Sequence, residues 1–373
     1  MTLVRRTART VGLGALAVAV GLAGCAGADS EAASEGEEVA RVGVAMPTQQ
    51  LERWAKDGAN VTAQLEALGH HVMVDYADDD PQLQADQIRQ MVEAGADALV
   101  VGAVDASALT AVLAEAGAAD VPVVAYDRLI LDSPDVDYYA TFDNERVGIQ
   151  QATSLLQGIG VLDETGRETG AEGPFFIEIF AGSPDDNNAT VFYAGAMSVL
   201  QPYLDSGVVE VVSGETEFDV VATPAWDGET AAARMSALIQ TYDADQQLHG
   251  VLSPNDGIAQ ALIGVFATAG LDAGDRALPV VPGQDADLAS AKSVAAGEQY
   301  TTIFKDTRQL AEVAVSAVHQ MLNGGDPETN DVTTYDNGRL IVPAYLLTPQ
   351  LVTQDNYHHL LIESGYYEAG DLA

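Results

Sequence analysis

Side chains that can donate, accept or stack follow several apolar runs of this sequence. They are carboxylates, carboxamides, cations and both tryptophans, and they include Arg53, Trp54, Asp127, Arg128, Asn188, Trp226, Asn255, Asp285 and Lys305. Such planar polar groups suit a neutral ligand with many hydroxyl groups, because each hydroxyl both donates and accepts a hydrogen bond. The C–H face of a sugar ring can also lie against an indole. These residue types therefore favour a sugar-like ligand.

The sequence lacks the signatures of common enzyme and metal sites. It contains no P-loop, no Gly-x-Ser-x-Gly and no His-Glu-x-x-His, and its six histidines show no ligand spacing. The single cysteine, Cys25, excludes a disulfide framework and a cysteine-based zinc site. Pairs of carboxylates are weak evidence for glycoside hydrolysis in a chain with 56 acidic residues. We therefore expect no catalytic residue, no metal and no cofactor.

Some of the polar residues have a simpler structural explanation. Asp186, Asn187 and Asp256 each precede a helical pattern, where a side-chain cap contributes about 1 kcal/mol. Both tryptophans could equally be core side chains. The adjacent pair Asp127 and Arg128 is harder to explain by capping, which does not require two opposite charges. This pair therefore favours a binding site, whereas the other positions leave both interpretations open.

The charge balance excludes several partners. The 373 residues contain 56 acidic and 16 basic side chains, a formal net charge of −40. Nucleic acid binding needs clustered lysine and arginine, and anionic lipid would repel such an acidic surface. The hydrophobic fraction of 47% is that of an ordinary folded protein. The length indicates two domains.

Strand and helix patterns alternate from residue 41 onward, and these elements must position the polar residues. The first series of predicted strands covers 41–46, 71–77, 98–102 and 121–126, and the second covers 175–180, 208–213, 250–252, 278–281 and 300–304. These runs are apolar without strict alternation, which is typical of parallel strands buried on both faces. We predict an α/β fold with two doubly wound parallel-sheet lobes, and a single (βα)₈ barrel as the alternative. In open sheets of this kind, ligands bind at the carboxyl ends of the strands.

The first residues have the pattern of an export signal. Arg5, Arg6 and Arg9 precede an apolar run at 11–23, which is too short to span a bilayer. The run ends at Leu22-Ala23-Gly24-Cys25 and resembles a bacterial lipoprotein signal, in which the cysteine is lipidated. We predict a signal peptide at 1–24 and an acidic tether at 25–40. An ordinary secretion signal is the alternative.

Several short segments resemble the sugar-binding type I periplasmic-binding-protein family, and within it the D-xylose and multiple-monosaccharide receptors. The resemblance extends from residue 39 to 367 and is carried by LERW at 51–54, AYDR at 125–128, YATFDN at 139–144, GSPDDNNA at 182–189, GQDA at 283–286, IFK at 303–305 and YLLTP at 345–349. It implies a two-lobed fold with a three-crossover hinge. The implied lobes are 41–142 plus 286–325, and 143–285 plus 326–373.

The resemblance also implies which residues hold the ligand. The hydrogen-bonding residues would be Arg53, Asp127, Arg128, Asn188, Asn255, Asp285 and Lys305. Trp54 and Trp226 would lie on either side of the sugar ring. The ligand would be an aldose of the xylose, glucose, galactose or arabinose type.

The function implied by the resemblance is that of a receptor and not of an enzyme. The protein would be an exported monomer at the outer face of the cytoplasmic membrane, held there only by its lipid anchor. It would deliver the sugar to the permease subunits of an ABC importer. One alternative is a sensory module that presents the bound form to a chemoreceptor or sensor kinase. The other is a glycoside hydrolase on a barrel.

Overall fold

The computed structural model describes residues 39–243, 247–271 and 278–372. The predicted signal peptide at 1–24, the lipidation site Cys25 and nearly all of the tether lie outside the described residues. The described strands are Arg41–Met46 (β1), His71–Tyr76 (β2), Ala98–Val101 (β3), Val123–Tyr126 (β4), Tyr138–Phe142 (β5), Phe175–Ile179 (β6), Val209–Val211 (β7), Gly250–Leu252 (β8), Thr302–Phe304 (β9), Ala344–Leu347 (β10) and Gln350–Val352 (β11).

Most strands are followed by a helix. The described α-helices are Glu52–Ala67 (α1), Pro81–Glu93 (α2), Thr110–Ala118 (α3), Asn144–Gly158 (α4), Asn187–Ser206 (α5), Phe218–Val221 (α6), Gly228–Ile239 (α7), Asp256–Ala269 (α8), Leu288–Ala296 (α9) and Thr307–Leu322 (α10). A 3₁₀ turn covers Pro224–Trp226 and a π-helical segment covers His358–Glu363. No helix in the described ranges combines the length and apolar character that a membrane crossing requires.

The first sheet contains six parallel strands in the order β10-β5-β4-β3-β1-β2. One face packs on α2 and α3, with Leu99 and Leu113 in its core. The other packs on α1 and α10, with Val100 and Leu310 in its core. Burial on both faces is what the unbroken apolar runs of these strands predict.

The second sheet is built around parallel strands in the order β7-β6-β8. A bridge from Gly250 to Val280 and another from Pro282 to Thr301 continue it to β9, which pairs antiparallel with β11. The chain passes between the two sheets three times, after β5, after β9 and after β10. The predicted α/β fold with three crossovers is confirmed, and the described strands form no closed barrel.

Sheet pairing divides the chain differently from the predicted lobe boundaries in two places. β9 was predicted to lie in the first lobe. It pairs instead with β11 beside the second sheet and packs Phe304 against Val352 and Leu361. β10 was predicted to lie with the second lobe, but Ala344 pairs with Tyr139 in the first sheet. The last two crossings therefore come later in the chain than predicted, after residues 304 and 347.

A few elements differ from their predicted extent. The helix predicted at 106–118 begins only at Thr110, because Asp105 accepts a hydrogen bond from the backbone of Ser107 and turns the chain. The amide of Ala106 then donates to the carbonyl of Asp185, which lies in the loop between β6 and α5. β5 and α4 were not predicted as elements. The strand predicted at 278–281 is reduced to bridges.

Candidate functional site

The nine predicted ligand residues line one cavity between the two sheets. Its wall consists of Leu51, Arg53, Trp54, Asp127, Arg128, Asp186, Asn188, Phe192, Trp226, Asn255, Gln284, Asp285 and Lys305. The residues come from separate segments and meet because the strands end at the same cleft. Their contact with a ligand stays a prediction.

Asp127 is held at the end of β4 in an unusual backbone conformation. Its φ of 60° lies in the left-handed region. Its carbonyl oxygen accepts hydrogen bonds from Tyr139 Oη at 2.7 Å, Thr141 Oγ1 at 2.8 Å and Asn188 Nδ2 at 2.8 Å. Strained backbone persists where the surroundings over-determine it, and it clusters at functional sites. The fold therefore fixes the position of the Asp127 carboxylate.

Arg53 connects carboxylates from both sides of the cavity. Its Nη2 donates to Asp57 Oδ2 at 3.0 Å and to Asp127 Oδ1 at 2.9 Å. Its Nη1 lies 3.5 Å from Asp285 Oδ1, on the second-sheet side. Lys305 Nζ lies 3.0 Å from the same Asp285 oxygen and 3.9 Å from Asp127 Oδ1. Two buried cations thus neutralise the carboxylates that would meet a ligand.

The charge state of Asp127 follows from this arrangement. Burial alone would raise its pKa, but the nearby Arg53 and Lys305 lower the pKa below its ordinary value. Asp127 is therefore ionised at neutral pH and accepts hydrogen bonds without donating any. An ionised carboxylate is a strong acceptor for sugar hydroxyls.

Asp57 is a functional residue that the sequence reasoning missed. It is fully buried, and its carboxylate accepts from Arg53 and from Tyr126 Oη, the latter at 2.6 Å. Burial raises the pKa of Asp57 to about 6, although Arg53 opposes the shift. The spacing of four residues from Arg53 on a predicted helix was the available signal, because such residues face each other. Asp57 holds the Arg53 guanidinium in position without lining the cavity.

Arg128 and Asp186 form an ion pair across the cleft. Arg128 Nε lies 2.8 Å from Asp186 Oδ2, and Nη1 donates to the carbonyl oxygens of Ala103 and Val104 at 2.9 and 3.2 Å. Burial raises the pKa of Asp186, while Arg128 opposes that shift. Asp186 also caps α5 by accepting from the amide of Asn188. The capping interpretation is therefore confirmed for Asp186, which also lines the cavity.

Two other polar residues have structural roles besides any ligand contact. Asn255 caps α8 by accepting from the amide of Ile258 at 3.0 Å. Asp256, which does not line the cavity, accepts from Thr302 Oγ1 and Gln299 Nε2. The capping interpretation of Asp256 is wrong in detail, since Asn255 supplies the cap and Asp256 ties α8 to β9.

Each tryptophan rests on a glycine and borders the cavity. A Cβ at Gly102 would lie 3.0 Å from the Trp54 ring, and one at Gly182 would lie 2.1 Å from the Trp226 ring. Both glycines come shortly after strands, so the six-membered ring of each indole lies close to the backbone there. Trp54 belongs to α1 on the first-sheet side, and Trp226 lies in the loop before α7 on the second-sheet side. A side chain at Gly182 would collide with the Trp226 indole and displace it.

Three polar atoms of the cavity wall are buried without a hydrogen-bond partner among the described residues. They are Arg128 Nε and Trp226 Nε1, both donors, and Gln284 Oε1, an acceptor. Arg128 Nε lies close to Asp186 without making a hydrogen bond to it. Buried polar groups are nearly always paired, so each such atom needs an explanation. A ligand that offers both donors and acceptors would provide partners for all three. Gln284 appears in the sequence analysis only as part of the GQDA motif at 283–286, and it was not predicted to bind the ligand.

The fold and the cavity are those of a two-lobed binding protein. A model of the periplasmic binding protein domain matches residues 42–326. The chain belongs to this family, which confirms the resemblance found in the sequence.

Its relatives include named sugar receptors. The chain is 48% identical over 331 residues to the multiple sugar-binding periplasmic receptor ChvE of Rhizobium radiobacter, covering 89% of this chain and 92% of that protein. It is 35% identical to the D-xylose-binding periplasmic protein of Escherichia coli, covering 91% and 94%. An ABC transporter solute-binding protein from Clostridium phytofermentans, solved with bound β-D-glucose, has a TM-score of 0.84 and 43% identity, covering 89% and 100%.

Proposed function

We propose that this protein is an extracytoplasmic receptor that binds an aldose monosaccharide between its two sheets and delivers it to an ABC importer. The observation that carries the proposal is the meeting of all nine predicted residues in the wall of one cavity. The names of the relatives, which are sugar receptors and not enzymes, support it.

The chemistry of the wall fits a neutral sugar. Asp127 and Asp285 offer acceptors, Arg128 and Lys305 offer donors, and Asn255 offers both. The cations are already paired with carboxylates at 2.8–3.0 Å, so an anionic ligand would find no unpaired positive charge. Neutral hydroxyl groups lose little when they join such a network, because they can donate to one member and accept from another.

The proposal predicts saturable binding that the tryptophans report. Trp54 and Trp226 are the only tryptophans, and both line the cavity. Xylose, glucose, galactose and arabinose should be tested by intrinsic fluorescence and thermal unfolding, with mannitol as an open-chain control. A ligand at 100 times its Kd should stabilise the protein by about 2.7 kcal/mol and change the fluorescence. If no aldose produces either change, the proposed function is wrong.

We also propose that the two sheets belong to lobes that close on the sugar. The lobes take the boundaries set by sheet pairing, with three crossings as the hinge. Contacts across the cleft, such as Arg53 with Asp285, support a closed form in which both lobes hold the ligand. Hinge closure is a common response of binding proteins. Small-angle scattering should show a smaller radius of gyration when the sugar is bound.

The proposed location depends on Cys25, which lies outside the described residues. We propose that it is lipidated and anchors the monomer to the outer face of the cytoplasmic membrane, near the permease. Cys25→Ser in the native host should release the protein into the medium, because the lipid is the only anchor. Ser30→Ala in the tether is the control and should stay bound. Retention of the Cys25→Ser protein would contradict the lipid anchor.

A further inference from the structure

A polar cluster outside the cavity joins α1 to the C-terminal segment. Lys56 Nζ lies 2.6 Å from Tyr367 Oη and 2.6 Å from Glu52 Oε1. The same ammonium lies 4.2 Å from the centroid of the Tyr367 ring. Tyr367 is only 8% exposed. A cation that donates to a buried phenol oxygen and to a carboxylate gives this cluster a defined geometry.

The cluster connects the two sheets. α1 packs on the first sheet through Trp54 and its neighbours. Tyr367 packs with Phe304 of β9 and Val352 of β11 in the second. One further contact crosses the same boundary. Glu52 Oε2 accepts from the amide of Leu288 at 3.2 Å, at the start of α9.

The Tyr367 hydroxyl ties the C-terminal segment to the site loop. Tyr367 Oη lies 2.9 Å from the carbonyl oxygen of Ala286 and 3.1 Å from Glu52 Oε1. Ala286 directly follows the cavity residue Asp285 and has a left-handed φ of 53°. The hydroxyl therefore connects α1, the C-terminal segment and the loop that carries a predicted ligand residue.

We propose that Glu52, Lys56 and Tyr367 form an interlobe clasp that sets how long the sugar is retained. The proposal rests on the function proposed above. None of the three residues lines the cavity, whereas Arg53 and Trp54, which lie between Glu52 and Lys56 on α1, do line it. The first turns of α1 therefore carry both cavity residues and clasp residues.

The clasp acts on the closed form without touching the ligand. Contacts that are stronger in the closed form than in the open form raise the population of the closed form and so lower the apparent Kd. They slow opening, and the effect therefore falls on the dissociation rate and not on the association rate. Because the clasp makes no contact with a sugar, it changes the affinity for every bound sugar by the same factor.

Lys56→Met and Tyr367→Phe test the clasp. Lys56→Met removes the ammonium but keeps an unbranched stem, and Tyr367→Phe removes only the hydroxyl. Each should speed dissociation roughly 5- to 20-fold, by the same factor for every aldose that binds, as the loss of one charge-assisted contact does. Stopped-flow tryptophan fluorescence measures both rates. The matched control is Lys292→Met, an exposed lysine of α9 outside the cavity, which should leave both rates unchanged.

A second measurement needs no sugar. The amide of Leu288 donates to Glu52, so its hydrogen exchange should be faster in Lys56→Met than in the unaltered protein. A protein that binds no aldose but shows this faster exchange refutes the proposed function and supports only the contact between α1 and the second sheet. Unchanged dissociation and exchange in both variants would overturn the clasp. So would an equal effect in Lys292→Met, or a change in the ranking of the sugars.

Discussion

Asp127→Asn should weaken aldose binding by roughly 10- to 150-fold, with the fold retained. A hydrogen bond to a charged group contributes about 1.5–3 kcal/mol, and about 1.4 kcal/mol is tenfold in affinity. Asparagine keeps the shape and tolerates the left-handed φ of 60° at this position, which alanine would not do as readily. Arg53 keeps Asp57 as a partner and Lys305 keeps Asp285, so neither cation is left unpaired. Titration calorimetry measures the loss.

The matched control for this variant is Asp120→Asn. Asp120 is an exposed aspartate with a φ of 57°, in the turn before β4 at the end of the strand opposite Asp127. The control makes the same chemical change in the same backbone conformation, and sugar affinity should stay within about twofold. If Asp127→Asn binds as tightly as the unaltered protein, the carboxylate is not a ligand contact. An equal loss in Asp120→Asn would point to a general effect on the fold.

Arg53→Met should destabilise the protein by about 3–5 kcal/mol at pH 7.5. Arg53 is 7% exposed and lies among Asp57, Asp127 and Asp285, so its removal leaves buried carboxylates with less compensation. Arg53 lowers the pKa values of Asp57 and Asp127, so both should rise in the variant. As the pH falls, the folded variant therefore binds more protons than the unfolded variant. Its deficit in the free energy of unfolding should then shrink toward pH 5. Urea unfolding at both pH values measures the deficit.

Arg89→Met is the control for the loss of an arginine. Arg89 also faces two carboxylates, Asp86 at 2.7 Å and Glu115 at 3.1 Å, but on the exposed surface of α2 and α3. Exposed ion pairs contribute about 0–1 kcal/mol, so this variant should lose little. Comparable losses in the two variants would show that burial of the Arg53 network does not matter. A stable Arg53→Met would contradict the structural role of Arg53.

The sequence predicts those site residues that directly follow a strand or lie one helical turn apart. Asp127 and Arg128 follow an apolar run, and strands of a parallel sheet end at the same edge. Once the runs are recognised as strands, their trailing residues must meet. Asp57 was also within reach, since it is four residues from Arg53 on one helix.

The long-range pairings were not predictable in this way. β10 joins the first sheet because Ala344–Leu347 pairs with Tyr139–Phe142, and nothing in either segment specifies the other. The short strand β9 pairs with β11 through three residues on each side, which carry little signal. β5 itself was noticed only as a family motif, because the stretch after Asp127 has turn residues at 132–137 that hide the strand. Two of the predicted lobe boundaries therefore differ from the points where the chain passes between the two sheets.

The pairing of β10 with β5 has a consequence for how the protein is made. Residues 139–142 leave the ribosome long before residues 344–347, which cover them as the edge strand of the sheet. Until then β5 presents unpaired backbone groups, and the nascent chain cannot complete its first sheet. Completion of the first sheet must therefore wait for residues 344–347 to be synthesised. A protein proposed to be exported benefits from that delay, because export machinery that threads unfolded chains then meets a first sheet that is still incomplete.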